Sequence, residues 1–177
     1  MRILVLKGSP HRHGSSNLLA ERFEEGAREA GHDVESFDVA HADIRPCLGC
    51  DACGMAGACC QADDMAALRD ALLDADLVAF ATPLYYFGMS AQMKTAIDRF
   101  YSFNGQLAGK RLKAVLLAAA WNDDDWTMRD LAAHYATLCR YLNFQDAGSV
   151  MGTGCGTVPM TRRTRFPQEA YKLGRSL

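Results

Sequence analysis

A chain of 177 residues can bury a substantial core within one domain, and 49% hydrophobic with 23% charged residues is ordinary for a globular protein. A net charge of -2 supplies no field suited to nucleic acid or an anionic membrane. No apolar run approaches the roughly 20 residues of a membrane helix, and the opening segment Met1–Lys7 runs into a turn rather than a cleavage site; a cytoplasmic protein without membrane or nucleic-acid partners is expected.

Residues 2–7 form an apolar run fit for a buried parallel strand, ended by Gly8-Ser9-Pro10. Ser15 or Ser16 is placed to cap the helix that follows, with Leu19, Phe23, Ala27 and Ala30 inward and Gly31 as its stop. Val34–Val39 is a second strand. Asp63 or Asp64 caps a helix burying Met65, Leu68, Leu72 and Ala75. Residues 77–81 give a third strand stopped by Pro83, and Met89, Met93, Ala96, Ile97 and Phe100 a helical stripe. Residues 112–120 form a fourth strand, followed by a helix marked by Met128, Leu131, Tyr135, Leu138, Cys139 and Leu142. Residues 144–151 form a fifth strand and 167–177 a last helix. Such alternation implies right-handed crossovers and a parallel sheet covered on both faces. The expected fold is an α/β three-layer sandwich with strand order 2-1-3-4-5 over one domain, 1–177. Ligands of such sheets bind beyond the carboxyl ends of the strands.

The candidate loops therefore follow strands one, three, four and five, the loops with unusual composition, and two of them carry most of the signal. The first, residues 8–17, sets Ser9, Ser15, Ser16 and Asn17 with His11, Arg12 and His13 at a helix N-terminus. Free backbone N–H groups, hydroxyls and positive charge there suit an anion; the bland alternative is a capped helix behind a polar turn. It is neither G-x-G-x-x-G nor a P-loop. The second, residues 81–90, places Pro83, Leu84, Tyr85, Tyr86, Phe87 and Gly88 in a turn. Three consecutive aromatics cannot all face one side, so at least one meets a flat, amphipathic ligand or a partner unless the core absorbs them.

Gly8-Ser9-Pro10 with Gly14–Asn17, then Thr82-Pro83-Leu84-Tyr85-Tyr86-Phe87-Gly88-Met89-Ser90 through Lys94, and Ile97-Asp98-Arg99, resemble the NADPH-dependent FMN reductase branch of the flavodoxin-like superfamily, in particular its cysteine-bearing members related to iron–sulfur flavoproteins. The resemblance covers nearly the whole chain. It implies FMN as cofactor, with Ser9, His11, Ser15, Ser16 and Asn17 around the phosphate and Pro83–Gly88 along the isoalloxazine. It also implies NAD(P)H as hydride donor, a small acceptor such as a quinone or flavin, ping-pong turnover, and a homodimer or homotetramer. Since the cofactor carries the chemistry, no catalytic acid or base is named. One departure is His11 where relatives carry arginine, which makes phosphate binding weaker and more pH-sensitive unless Arg12 substitutes. Another is the loop Trp121–Trp126 with three aspartates, which either narrows the mouth or caps the next helix.

Cys47, Cys50, Cys53, Cys59 and Cys60 follow C-x2-C-x2-C-x5-C, with Cys60 in addition. One loop of this kind can wrap an iron–sulfur cluster, whereas structural zinc more often uses two separated pairs. The resemblance implies a [4Fe-4S] cluster on Cys47, Cys50, Cys53 and Cys59. Two alternatives stay open: a metal-free loop shaping the flavin surroundings, and a redox-active disulfide. Rival functions are an electron carrier serving a protein partner and a thiol or metal sensor.

Overall fold

The computed structural model describes residues 1–177. Strands β1 (Arg2–Lys7), β2 (Asp33–Phe37), β3 (Leu77–Pro83), β4 (Lys113–Ala119) and β5 (Gln145–Gly152) form one sheet, parallel throughout, in the order β2-β1-β3-β4-β5. β1, β3 and β4 are buried on both faces, which is why they appear in the sequence as unbroken apolar runs.

Side chains alternate across the pleat and split the core in two. Ile3 and Val5 of β1 face a layer built by α1 (Ser15–Glu29) and α7 (Phe166–Arg175), with Leu19, Phe23 and Ala170 among its buried residues. Leu4 and Leu6 face the opposite layer. There α2 (Met65–Asp74), α3 (Ala91–Asp98), α4 (Asn104–Lys110) and α5 (Arg129–Tyr141) contribute Leu68, Met93, Leu107 and Leu131. A 3-10 turn over Arg99–Phe103 joins α3 to α4, and a short α6 (Val158–Arg162) precedes α7.

The strand order and both covering layers are as expected. Boundaries moved by one or two residues at most strands. Neither Ser15 nor Ser16 caps α1; Gly14 does, in extended backbone and without a side-chain bond. The aspartates after β4 do not cap α5 either, whose N-cap is Met128. The 3-10 turn, α4 and α6 were not expected. Each is five to seven residues long, too short to show a period in sequence.

The order reverses at β1: its successor β2 lies on one side and β3 on the other. The β1–α1 and β3–α3 loops therefore leave toward opposite faces and open a crevice between them.

Candidate functional site

One side of the crevice is the β1–α1 loop. Ser9 is buried and its Oγ accepts from the His11 N–H at 3.2 Å. Gly14 N–H donates to the His11 carbonyl at 2.9 Å, and a Cβ at Gly14 would stand 3.0 Å from that oxygen and from Ser9 Oγ, so the turn is tight. Asn17 Nδ2 donates to the carbonyls of His11 and Arg12 at 3.2 and 3.0 Å, bracing the loop from below. With no side-chain cap, the first N–H groups of α1 lack an acceptor in the helix itself. Ser16 Oγ and Asn17 Oδ1 are buried without a hydrogen-bond partner. A buried hydroxyl in that state is costly, and here it sits where an anion's oxygen would satisfy it.

The other side is the β3–α3 loop, and Ser90 ties the two together. Its Oγ donates to the Gly8 carbonyl at 2.6 Å and accepts from Met93 N–H at 3.2 Å, while its own N–H donates to Thr82 Oγ1 at 3.0 Å. Leu84 N–H reaches the Ala119 carbonyl at 2.8 Å, docking this loop on β4. The two loops are thus held facing each other across a cavity of about 530 Å³.

The structure gathers Ser9, His11, Ser15, Ser16, Pro83, Leu84 and Tyr85 around that cavity. Asn17 braces it without lining it. Tyr86, Phe87 and Gly88 lie beyond it, in a turn closed by reciprocal Tyr85–Gly88 backbone bonds of 3.1 Å. Tyr86 and Phe87 hold left-handed backbone there (φ 45° and 64°), and Tyr86 is 101% exposed. Phe87 packs on Trp126, ring centroids 5.1 Å apart. Arg12 does not enter the cavity; its guanidinium pairs with Asp38 at 3.1 Å.

The remaining wall is His13, Trp121, Ala119 and Cys155–Val158. His13 belongs to the loop the sequence marked and Trp121 to the loop expected either to narrow the mouth or to cap the next helix, whereas Ala119 and Cys155–Val158 were missed by sequence reasoning. Ala120 N–H bonds the Gly152 carbonyl at 2.8 Å and Cys155 N–H the Ala120 carbonyl at 2.7 Å, holding the loops after β4 and β5 side by side. The Trp121 ring lies so close on Gly156 that any Cβ there would collide with it. Thr161 Oγ1 donates to Ser15 Oγ at 2.9 Å, so α6 closes against α1. The run of small and polar residues from Gly152 to Thr157, at the carboxyl end of a strand, was the available signal.

The cysteine loop lies between β2 and α2 and frames a separate cavity of about 500 Å³ that Cys47, Cys50, Cys53, Cys59 and Cys60 all line. Its base is clamped by Arg99, the first residue of the 3-10 turn. The Arg99 side chain is 1% exposed and that of Asp63 0%. Nη1 donates to the Arg45 carbonyl and Asp63 Oδ2, both at 2.7 Å, and Nη2 to Asp63 Oδ1 at 3.1 Å. Asp63 also accepts from the N–H groups of Arg45 and Met65, each at 3.2 Å. Burial alone would raise the Asp63 carboxyl pKa, but these donors outweigh it and hold it below the usual value. No three His, Cys, Asp or Glu side chains converge closely enough to grip a metal ion. Cys50 and Cys60 do meet, Sγ to Sγ 3.5 Å. The Ala52 N–H and the Cys60 thiol lower the Cys50 pKa, and the same thiol contact raises that of Cys60.

This geometry has relatives. An iron-sulfur flavoprotein of Methanocaldococcus jannaschii is 31% identical over 164 residues, 90% of this chain and 85% of that protein. One from Archaeoglobus fulgidus is 34% identical over 112 residues, 62% of this chain; the match spans 51% of that protein, so the chain aligns with about half its length. Among solved structures, the NAD(P)H:quinone oxidoreductase of Methanothermobacter marburgensis superposes with TM-score 0.79 at 22% identity, covering 99% of this chain and 95% of that one. An FMN-dependent NADH-azoreductase of Bacillus anthracis in complex with FMN gives 0.72 at 14% identity, over 99% and 97%. These two likenesses show a shared flavodoxin-like fold. The profile of the NADPH-dependent FMN reductases matches residues 1–149, which include the β1–α1 loop, the cysteine loop and the β3–α3 loop. The chain belongs to the NADPH-dependent FMN reductase family.

Proposed function

We propose that this chain, acting as one flavodoxin-like domain over 1–177, binds FMN in the 530 Å³ cavity and works as an NAD(P)H-dependent oxidoreductase on a small acceptor such as a quinone or a flavin. The observation that carries this is the Ser90 staple: it sets the anion cradle opposite the Pro83–Tyr85 wall. Ser9, Ser15, Ser16 and the first turn of α1 receive the phosphate, with His11 and His13 at the rim and Asn17 holding the loop's shape. Pro83, Leu84 and Tyr85 support the ring from one side and Trp121, on Gly156, from another. Tyr86, Phe87 and Gly88 form the outer lip, where acceptor or a second subunit meets the site. FMN held by these residues would supply two-electron hydride chemistry between NAD(P)H and the acceptor, in a ping-pong cycle. The chain's own residues bind, orient and shield; none is required as acid or base.

The test is anaerobic purification followed by absorption spectroscopy, binding titration and steady-state NAD(P)H oxidation. Flavin retained in the protein, FMN bound far more tightly than riboflavin, and turnover with a quinone are the expected results. Equal affinity for FMN and riboflavin would remove the phosphate cradle from the account. Flavin without NAD(P)H turnover would instead make the chain an electron carrier.

A second reading attaches to the thiol loop. Cys47, Cys50, Cys53 and Cys59 have the donor chemistry for a [4Fe-4S] cluster, they line one cavity, and relatives bear the name iron-sulfur flavoprotein. Since three thiols do not yet converge, the loop must close when a cluster loads. Iron and acid-labile sulfide in stoichiometric amount in anaerobic protein are expected; their absence after reconstitution would leave a metal-free loop.

A further inference from the structure

Cys60 has no part in either reading, yet its thiol lies within hydrogen-bond distance of that of Cys50, Sγ to Sγ 3.5 Å. We propose that Cys50 and Cys60 are a reversible disulfide pair, a redox modification site at the mouth of the thiol cavity. The proposal is independent of flavin binding and concerns the chain without metal, since a cluster held on Cys50 would compete for the same thiolate.

Three observations support it. Both thiols are exposed, so a small oxidant reaches them directly. Bonded sulfurs lie about 2.05 Å apart, so the pair must close by only roughly 1.5 Å. The approach is also built in rather than a chance meeting of loose chain. Between the two cysteines, Gly54 N–H bonds the Asp51 carbonyl at 3.0 Å and Gly57 N–H the Cys53 carbonyl at 2.7 Å, folding the segment back on itself. Below it, Gln61 Nε2 holds the Pro46 carbonyl at 2.9 Å and the Arg99–Asp63 clamp fixes the base.

The step balances with a low-molecular-weight disulfide as oxidant. One thiolate of the pair attacks a sulfur of that disulfide, the S–S bond breaks and one small thiolate leaves. The second protein thiolate attacks the mixed disulfide at the protein sulfur and expels the other small thiolate. Cys50 and Cys60 lose two electrons together, the small disulfide gains them, and the two protein protons go to the two small thiols. Oxidation thereby withdraws Cys50 from any set of thiolates available to a metal, and excess small thiol restores it.

The test treats the full chain, freed of metal by a chelator, with oxidised glutathione, then alkylates free thiols and maps peptides by mass spectrometry. An internal Cys50–Cys60 cross-link lighter by two hydrogens, with no glutathione retained and with reversal by dithiothreitol, is expected. Cys60→Ser should instead hold glutathione on Cys50, while Cys59→Ser should still form the bridge. Stable glutathione adducts on wild-type Cys50 and Cys60 would overturn the proposal, as would a cross-link between other cysteines or loss of the bridge in Cys59→Ser with its circular dichroism unchanged.

Discussion

Ser16 and Arg99 show how single side chains carry opposite burdens. Ser16 Oγ is buried and unpartnered, so the free protein gains little by keeping it. Hydrogen bonds to charged groups contribute about 1.5–3 kcal/mol, so Ser16→Ala should weaken FMN binding about 10- to 100-fold. Its ligand-free thermal stability should be unchanged or slightly higher; a fall in that stability with intact FMN affinity would make the hydroxyl structural. Arg99 is the reverse case. Both charges of the Arg99–Asp63 pair are buried, and removing one leaves the other uncompensated. Arg99→Met should therefore cost about 3–5 kcal/mol in denaturant unfolding. The pair also has a pH signature. The Asp63 carboxyl pKa is lowered in the folded state, so the carboxylate's contribution is complete above its unfolded value of about 3.9 and is lost as pH falls through the lower folded value. Wild type should keep a constant stability advantage over Asp63→Asn near neutrality and lose it only in acid. An advantage that declines between pH 8 and 6 would contradict this.

At the scale of elements, what was legible in the sequence follows from how each element is stabilised. The inner strands are buried on both faces, so composition alone announces them, and with them the layer order. The two loops that face the cavity showed themselves by serine, proline and aromatic content. Arg99 did not, because its burial is set by Asp63, 36 residues earlier, and no local period records a partner at that distance. The third wall was legible only in part: the Trp121–Trp126 loop stood out by composition, but the residue its ring lies on, Gly156, is on a different loop. Glycines within helices carry a comparable long-range message. A Cβ at Gly26 of α1 would collide with the Tyr171 carbonyl of α7, and one at Gly174 of α7 with the Phe23 carbonyl of α1. The two backbones touch at these positions. Alanine is the better helix former, by about 1 kcal/mol, yet Gly174→Ala should lower stability by about 1–3 kcal/mol or more because overpacking wins. Since α1 presents the anion cradle at its far end, FMN release should quicken in the same variant. An unchanged or raised melting temperature would show that the helices can part freely.

For the whole molecule, the notable surface is at the carboxyl end of the sheet. Tyr85, Tyr86, Phe87, Trp121 and Trp126 are all substantially exposed there, with Phe87 on Trp126 and with Tyr85 and Trp121 on the cavity wall. Tyr86 has no burial to offset the cost of its left-handed backbone, and strain of this kind persists where a function needs it. Aromatics at such density are characteristic of the centre of an interface rather than of free surface, and a net charge of -2 offers little repulsion between copies. A homodimer or homotetramer joined over this lip would cover the open side of the flavin cavity. Tyr86→Asp combined with Trp126→Asp should shift the sedimentation coefficient to that of the monomer. Neither side chain lines the cavity, so FMN should still bind the dissociated form, while NAD(P)H oxidation should fall because the covering wall is gone. If the double variant sediments as wild type does, the aromatic lip serves the acceptor and not a second subunit. If it dissociates yet turns over at the wild-type rate, the site is complete within one chain.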